Sequence, residues 1–142
     1  MRVLLDTNIL LDVLLHRLPW QAAADAIMKA AHDGQLECCV ASLTITNIFY
    51  VARRQVGHVQ AREIACECLT TLEIIDIGRR ELELADSFPG LDLEDNLQQA
   101  AAIVGSVDAI ITRDLTGFAD SPVRSLTPQQ LLVELQPTPP SP

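Results

Sequence analysis

Two aspartates stand just beyond apolar segments of the chain, where a strand would end. Asp6 follows residues 2–5, and Asp114 lies three residues beyond the segment 107–111. Ligands of parallel sheets bind outside the carboxyl ends of the strands, so both carboxylates are expected to face a site rather than the core. Each has a simpler alternative: Asp6 as a helix cap, and Asp114 as a turn residue.

A third group of acids opens a predicted helix. Asp92, Glu94 and Asp95 fall in its first turn, where the helix dipole favours negative charge, and capping accounts for one of the three. Asp92 and Asp95 are three residues apart and share a helix face, and Asn96 and Gln99 continue a polar stripe beside Asp95. Asp95 is therefore the third carboxylate predicted to face the site.

Carboxylates that converge on one site suit a hard cation. Oxygen-only donors favour Mg²⁺ or Mn²⁺ over zinc, and such an ion supports the hydrolysis of a phosphodiester. The four cysteines do not have zinc-site spacing and have no histidine close by, so they are predicted to be reduced thiols. They are Cys38, Cys39, Cys66 and Cys68.

Strand-like apolar segments alternate with helical patterns along the chain. This alternation predicts an α/β fold with a mainly parallel central sheet of four or five strands. Pro19 is expected at the first position of the second helix, and Gly57 is expected to interrupt the helical region that contains it. Strands are predicted at 2–5, 36–40, 72–77, 107–111 and, as a short fifth, 123–125; helices at 8–15, 19–31, 42–54, 58–69, 79–87, 92–104 and 127–135.

Length and composition limit the possible domain organisation and function of the chain. The 142 residues predict one domain over 1–135, followed by a proline-rich, disordered tail over 136–142. A net charge of −9 argues against broad electrostatic attraction to nucleic acid, although a bound cation would offset it locally. The 4% of aromatic residues argues against a base-stacking platform. No membrane span or signal peptide is recognised, so a soluble, cytoplasmic protein is expected.

Four segments, taken in order, resemble the PIN-domain family of metal-dependent ribonucleases. The likeness is greatest to the VapC-type toxins of bacterial toxin–antitoxin pairs, and it covers most of the chain. Each segment is a weak signal alone, but the ordered set is fairly specific. The segments are 5–8, 42–50, 92–102 and 110–118.

The resemblance implies a three-layer α/β/α sandwich with an acidic pocket that binds Mg²⁺ or Mn²⁺. It matches Asp6, Asp95 and Asp114 to catalytic, metal-binding acids of the family. Asp6 and Asp95 are expected to hold the principal ion, while Asp114 positions water or a second ion. The auxiliary residues would be Thr7, Asn8, Asn47, Asp92, Glu94 and Thr112.

Two positions depart from the family pattern. Many members carry a glutamate in the helix after the second strand, where this chain has Asn47. An amide oxygen can coordinate a cation but cannot neutralise its charge or act as a base. Gly117 stands where related proteins often have aspartate. Either Glu94 or Asp92 would have to replace the missing carboxylate.

The implied activity is metal-assisted, in-line attack of water on an RNA phosphodiester, leaving a 5′ phosphate and a 3′ hydroxyl. Arg53, Arg54 and Arg113 are candidate phosphate contacts, although exposed arginines commonly only solvate a helix face. The resemblance also implies a small antitoxin with a basic side chain at the pocket, and a homodimer.

Two other functions remain open from the sequence. A PIN-like domain weakened or inactivated by Asn47 could act as a binding module for a protein partner. A phosphoryl-transfer enzyme with Asp6 as its nucleophile would have a second aspartate two positions later, where this chain has Asn8.

Overall fold

A single parallel sheet organises the described residues, 1–136, of this computed structural model. Its strands are β1 (Arg2–Leu5), β2 (Glu37–Ala41), β3 (Glu73–Ile75), β4 (Ala109–Ile111) and β5 (Ser125–Leu126). They lie in the order β3-β2-β1-β4-β5, and every pairing is parallel. The predicted α/β class is confirmed, with five strands.

Helices connect the strands, as the alternating pattern predicts. Gly57 interrupts the longest of them with φ 82° and ψ 169°, which confirms the predicted break between two helical halves. The helices are α1 (Thr7–Leu14), α2 (Gln21–His32), α3 (Ser42–Thr71), α4 (Arg79–Asp86), α5 (Leu93–Val104) and α6 (Pro128–Glu134), with a short 3₁₀ turn at Thr116–Phe118.

Apolar cores cover both faces of the sheet. Along β1, Val3 and Leu5 belong to one core and Leu4 to the other, because successive side chains of a strand point to opposite faces. Helices α1, α2, α3 and α6 fill the first core, while α5 and Phe118 contribute to the second. The expected three-layer sandwich is therefore confirmed.

Some element boundaries differ from the predicted ones. Helix α2 begins at Gln21, so the prediction that Pro19 opens it is wrong. Trp20 is the last residue of the turn that precedes α2. The guanidinium of Arg113 lies over its ring, so this turn packs against the segment that follows β4. Strand β3 is shorter than predicted because only Glu73–Ile75 pair with β2.

The carboxyl ends of β1 and β4 meet at the centre of the sheet. Leu5 pairs with Ile111, and the N–H of Asp6 donates to the carbonyl of Ile111 at 2.9 Å. The residues after both strands are therefore held side by side, as the strand-end argument requires.

Two further predictions concern the carboxyl-terminal tail and membrane-spanning segments. Residues 137–142 lie outside the described residues, so the proposed tail and the 1–135 boundary stay predictions. Within 1–136, no helix combines the length and the apolar character needed to cross a membrane.

Helix α6 is expected to be an integral part of the domain. Leu131 is fully buried in the first core, so Leu131→Ala should lower the free energy of unfolding by about 2–5 kcal/mol. Val133→Ala, on the same helix but 66% exposed, should cost well under half of that. Urea unfolding of the two variants measures this, and equal small losses would show that α6 does not belong to the core.

Candidate functional site

Asp6 occupies the cap position of α1, but its side chain does not cap the helix. Its carboxylate makes no capping hydrogen bond and instead accepts one from Thr112 Oγ1 at 2.9 Å. The residue is only 8% exposed. Burial raises the pKa of Asp6, and the Thr112 hydrogen bond opposes that rise. The site interpretation of Asp6 is therefore favoured over the capping one.

Thr112 connects Asp6 to the segment that carries Asp114. The same hydroxyl that donates to Asp6 accepts the backbone N–H of Asp114 at 3.0 Å. Asp114 Oδ1 in turn accepts the N–H of Thr116 at 3.0 Å. Asp114 therefore also has the role of a turn residue, which was the simpler alternative for it. Asp114 is exposed, so this turn holds an accessible carboxylate near Asp6.

The three acids at the start of α5 have different surroundings. Asp92 is the cap of the helix: its Oδ1 accepts the N–H groups of Glu94 and Asp95 at 2.9 and 3.2 Å. Glu94 accepts a hydrogen bond from Asn47 Nδ2 at 2.6 Å. Capping thus explains Asp92 and leaves the other two carboxylates available for the site.

Asp95 is the point at which the acids converge. Burial, followed by the charges of Asp92, Asp6, Asp114 and Glu94, raises its pKa to about 6. The acids that act on Asp95 come from three places: the residue after β1, the start of α5 and the turn after β4. Their mutual repulsion disfavours the fully ionised cluster, and a cation would offset it.

The donors fit a hard divalent cation better than they fit zinc. The converging side chains offer carboxylate oxygen, which Mg²⁺ and Mn²⁺ prefer. Within the part of the chain that the structure describes, no three acidic, histidine or cysteine side chains are close enough to hold one ion as they stand. Binding would therefore require side-chain rotation, for which the exposed Asp114 and Glu94 have room.

The two departures from the family pattern both touch the acids. The side-chain amide of Asn47, on α3, contacts the carboxylate of Glu94, on α5. A carboxylate is therefore present at this position of the site, but α5 supplies it instead of α3. A Cβ on Gly117 would lie 2.4 Å from Asp95 Oδ2, so in this backbone glycine leaves the room that the Asp95 carboxylate occupies.

A buried polar network beneath the acids was missed from the sequence. Thr44, fully buried on α3, lies 3.4 Å from Thr7 Oγ1 and accepts a hydrogen bond from Gln98 Nε2 at 3.2 Å. Thr7 Oγ1 is also 3.4 Å from Glu94 Oε1. Thr44 stands inside the 42–50 segment, but only the packing of α3 against α5 reveals its role.

Arg113, predicted as a phosphate contact, is held within the protein. Its Nε lies 3.1 Å from Oδ2 of Asp12, an ion pair without hydrogen-bond alignment, and its guanidinium stands 3.9 Å from the centroid of the Trp20 ring. Asp12 is fully buried on α1. Burial raises its pKa, and the charge of Arg113 opposes the rise. An acid within the otherwise apolar stretch 9–15 was the signal in the sequence.

The remaining candidates are Arg53, Arg54 and Asn8. Arg53 stacks over Tyr50 at 4.9 Å from the ring centroid, and Arg54 and Asn8 are exposed. Within residues 1–136, no hydrogen bond or ion pair joins Arg53 or Arg54 to Asp6 or Asp95, whereas the backbone N–H of Asn8 opposes the rise in the pKa of Asp6.

The sequence comparison now decides the family. A profile described as PIN domain matches residues 2–116, a segment that contains all three converging aspartates. The chain belongs to the PIN domain family. No similar sequence was found among curated proteins.

Solved structures share the fold of this PIN domain. One is a chain of VapBC-1 from nontypeable Haemophilus influenzae, with a TM-score of 0.69, 12% identity, and coverage of 91% of this chain and 99% of that one. Another is a toxin–antitoxin complex from Klebsiella pneumoniae, with a TM-score of 0.66, 24% identity, and coverage of 89% and 97%. VapBC2 from Rickettsia felis, bound to a DNA fragment from its promoter, gives a TM-score of 0.65, 17% identity, and coverage of 89% and 98%.

Stability of the metal-free protein should depend on pH through Asp95. The unfolded carboxyl titrates near its ordinary value of 3.8, whereas the folded one titrates at about 6. The folded state therefore retains this proton between these values, and protonation adds stability as the pH falls through that window. The contribution is absent above about pH 6.

Asp95→Asn isolates this contribution. In chelator-treated protein, the variant should be more stable than the parent at about pH 7, and this advantage should shrink as the pH falls toward about 4. Urea unfolding across the range measures the difference. A difference that does not change with pH would contradict the convergence of charge on Asp95.

Proposed function

We propose that this chain is a divalent-metal-dependent endoribonuclease and the toxin of a toxin–antitoxin pair. The observation that carries the proposal is the convergence of the acids around Asp95. One hydroxyl of Thr112 connects Asp6 to the backbone of Asp114, and Gly117 lies against the carboxylates of both Asp95 and Asp114. Membership of the PIN domain family supports phosphodiester chemistry at these acids. RNA in the cytoplasm is the proposed substrate.

Asp6 and Asp95 would hold the principal Mg²⁺ or Mn²⁺ ion, with Asp114 contributing directly or through water. A bound ion of this kind polarises a phosphate oxygen, lowers the pKa of a coordinated water and offsets charge on the leaving oxygen. Thr112 orients Asp6 through its 2.9 Å hydrogen bond and so limits rotation of that carboxylate.

Glu94 is the proposed replacement for the carboxylate absent at Asn47. Burial, then the charges of Asp6 and Asp92, raise the pKa of Glu94, which favours its acting as a proton acceptor. The Asn47 amide, 2.6 Å away, holds the Glu94 carboxylate toward the other acids. In this proposal Glu94 takes the proton of the attacking water, and Asn47 positions it.

The proposed contacts to the RNA phosphate are three arginines and one asparagine. Burial raises the pKa of Asp6, and the charge of Arg113 opposes that rise, which supports a place for this arginine at the edge of the pocket. Asn8 is exposed two positions after Asp6 and could donate its amide to a phosphate oxygen. Arg53 and Arg54 stay proposals that rest on their charge alone.

The proposed partners are an antitoxin and a second copy of this chain. Similar folds occur in toxin–antitoxin complexes, which supports a small partner whose basic side chain would enter the acidic pocket. The net charge of −9 favours such a partner through electrostatic steering. A homodimer is proposed by analogy of fold.

A non-catalytic PIN-like binding module is the second candidate. It is favoured by Asn47 in place of the usual glutamate, and by the lack, within residues 1–136, of three acids positioned to share an ion as they stand. It predicts that partner binding survives the loss of the acids, and that the parent protein cleaves no RNA.

Asp6→Asn tests the proposed function. The change should lower Mn²⁺-dependent RNA cleavage by roughly 100-fold or more, because it removes a charged metal ligand while keeping the size of the side chain. Asp76→Asn is a matched control, since Asp76 also follows the carboxyl end of a strand but on the edge strand β3. It should cleave like the parent.

Two outcomes would contradict the proposal. Equal cleavage by the parent and the Asp6→Asn variant would show that the activity comes from elsewhere. No Mn²⁺-dependent cleavage by the parent on structured RNAs, together with unchanged partner binding by an Asp6→Asn/Asp95→Asn double variant, would favour the binding module.

A further inference from the structure

A cavity of about 290 Å³ shares Asp95 with the acid cluster. It lies between the segment that leads into α5 and the segment that follows Asp114, and its walls include Leu91, Thr116 and Asp120. Sites for drug-sized ligands span about 300–1,000 Å³, so this cavity lies just below that range and suits a single group such as a nucleobase rather than a whole nucleotide. The proposed cleavage uses Asp95 but not the rest of these walls.

Two amides of the polar stripe on α5 line the cavity. Asn96 and Gln99 are each only 4% exposed. Asn96 Nδ2 donates to the carbonyl of Gly90 at 2.8 Å, which leaves its Oδ1 buried without a hydrogen-bond partner. Gln99 forms no side-chain hydrogen bond with any other residue of 1–136. A buried amide oxygen without a partner, as Asn96 Oδ1 is here, is unfavourable and requires an explanation, such as a group that binds there.

Glycines allow the walls of the cavity to lie against these groups. A Cβ on Gly90 would be 2.5 Å from Asn96 Oδ1, and one on Gly117 would be 2.4 Å from Asp95 Oδ2. Gly90 also accepts the hydrogen bond from Asn96, so this amide positions the segment that forms one wall. The cavity is therefore a product of specific contacts rather than a gap between loops.

We propose that this cavity binds the base of the nucleotide next to the scissile phosphate, and that it selects a base with an exocyclic amino group. The inference rests on the proposed ribonuclease function, since Asp95 places the cavity beside the phosphate that the acids would hold. RNA-binding proteins commonly read unstacked bases through hydrogen bonds to their edges. Gln99 would read the base edge, and Asn96 would hold the wall.

The charge of the lining determines which bases fit. Asp92 and Asp120 accept hydrogen bonds but donate none when ionised, whereas the Gln99 amide does both. Cytosine, adenine and guanine carry amino groups that can donate to these acceptors. Uracil presents a carbonyl oxygen where cytosine presents its amino group, so the ionised Asp92 and Asp120 would repel it, and of these three side chains only Gln99 could donate to it. Leu91, which is fully exposed, offers an apolar contact to the face of the base.

Binding of free nucleosides tests the cavity without requiring metal or cleavage. Cytidine and uridine are a matched pair of uncharged probes that differ at the exocyclic position. Titration of ¹⁵N-labelled parent protein with cytidine should shift the side-chain NH₂ resonances of Gln99 and Asn96, and uridine should shift them several-fold less at equal concentration. Equal shifts with both nucleosides, or shifts at neither amide, would overturn the proposal.

Cleavage of a randomised RNA pool tests the same cavity in the context of the reaction. Sequencing of the cut ends should show uracil depleted at one position next to the scissile bond for the parent. Gln99→Met, which keeps the approximate size but removes the amide, should change the distribution of bases at that position, because the base edge loses both a donor and an acceptor. Gln129→Met, at an exposed position on α6, should leave the parent pattern unchanged. An identical base distribution for the parent and Gln99→Met would contradict the assignment of Gln99.

The two experiments separate the inference from the function on which it rests. Selective cytidine binding by a parent protein that cleaves no RNA would contradict the ribonuclease proposal and leave the base-binding cavity intact. Mn²⁺-dependent cleavage with no base preference, and with no selective shift at Gln99, would contradict the cavity and leave the ribonuclease proposal intact.

Discussion

The parallel pairing of β1 with β4 is the constraint on which the site depends. Because Leu5 pairs with Ile111, the next residues of both strands emerge side by side at the carboxyl edge of the sheet. Thr112 can then donate to Asp6 and accept from the backbone of Asp114 with one hydroxyl. A shift of one residue in this register would direct those side chains to opposite faces of the sheet. The fold therefore determines the distance between two of the three acids before any ligand is present.

The electrostatic consequence is an accumulation of negative charge that the protein only partly offsets. Helix α5 brings Asp95 toward Asp6 and Asp114, and its amino-terminal N–H groups are engaged by Asp92. Arg113 supplies positive charge nearby, but it is also paired with the buried Asp12. A cation at the acids would relieve the remaining repulsion. This balance connects the stability of the metal-free domain with the function that we propose for it.

Patterns in the chain were sufficient for the fold, because it depends on regular local rules, and they also drew attention to acids that the structure places near one another. An acid at or shortly after the end of an apolar strand is readable from spacing, and Asp6 and Asp114 were selected in this way. Pairing of distant polar residues is not readable from spacing. Asp12 with Arg113, and Thr44 with Gln98, become visible only when helices pack against one another. For the same reason the contacts of Arg113 with Asp12 and Trp20 were not foreseen, and its role as a phosphate contact stays a prediction.

Anomalous diffraction from crystals grown with Mn²⁺ tests the shared metal site most directly. We expect a strong anomalous peak within coordination distance of both Asp6 and Asp95, and its loss in crystals of Asp6→Asn. A well-ordered structure at high Mn²⁺ concentration with no peak between these two carboxylates would contradict the account.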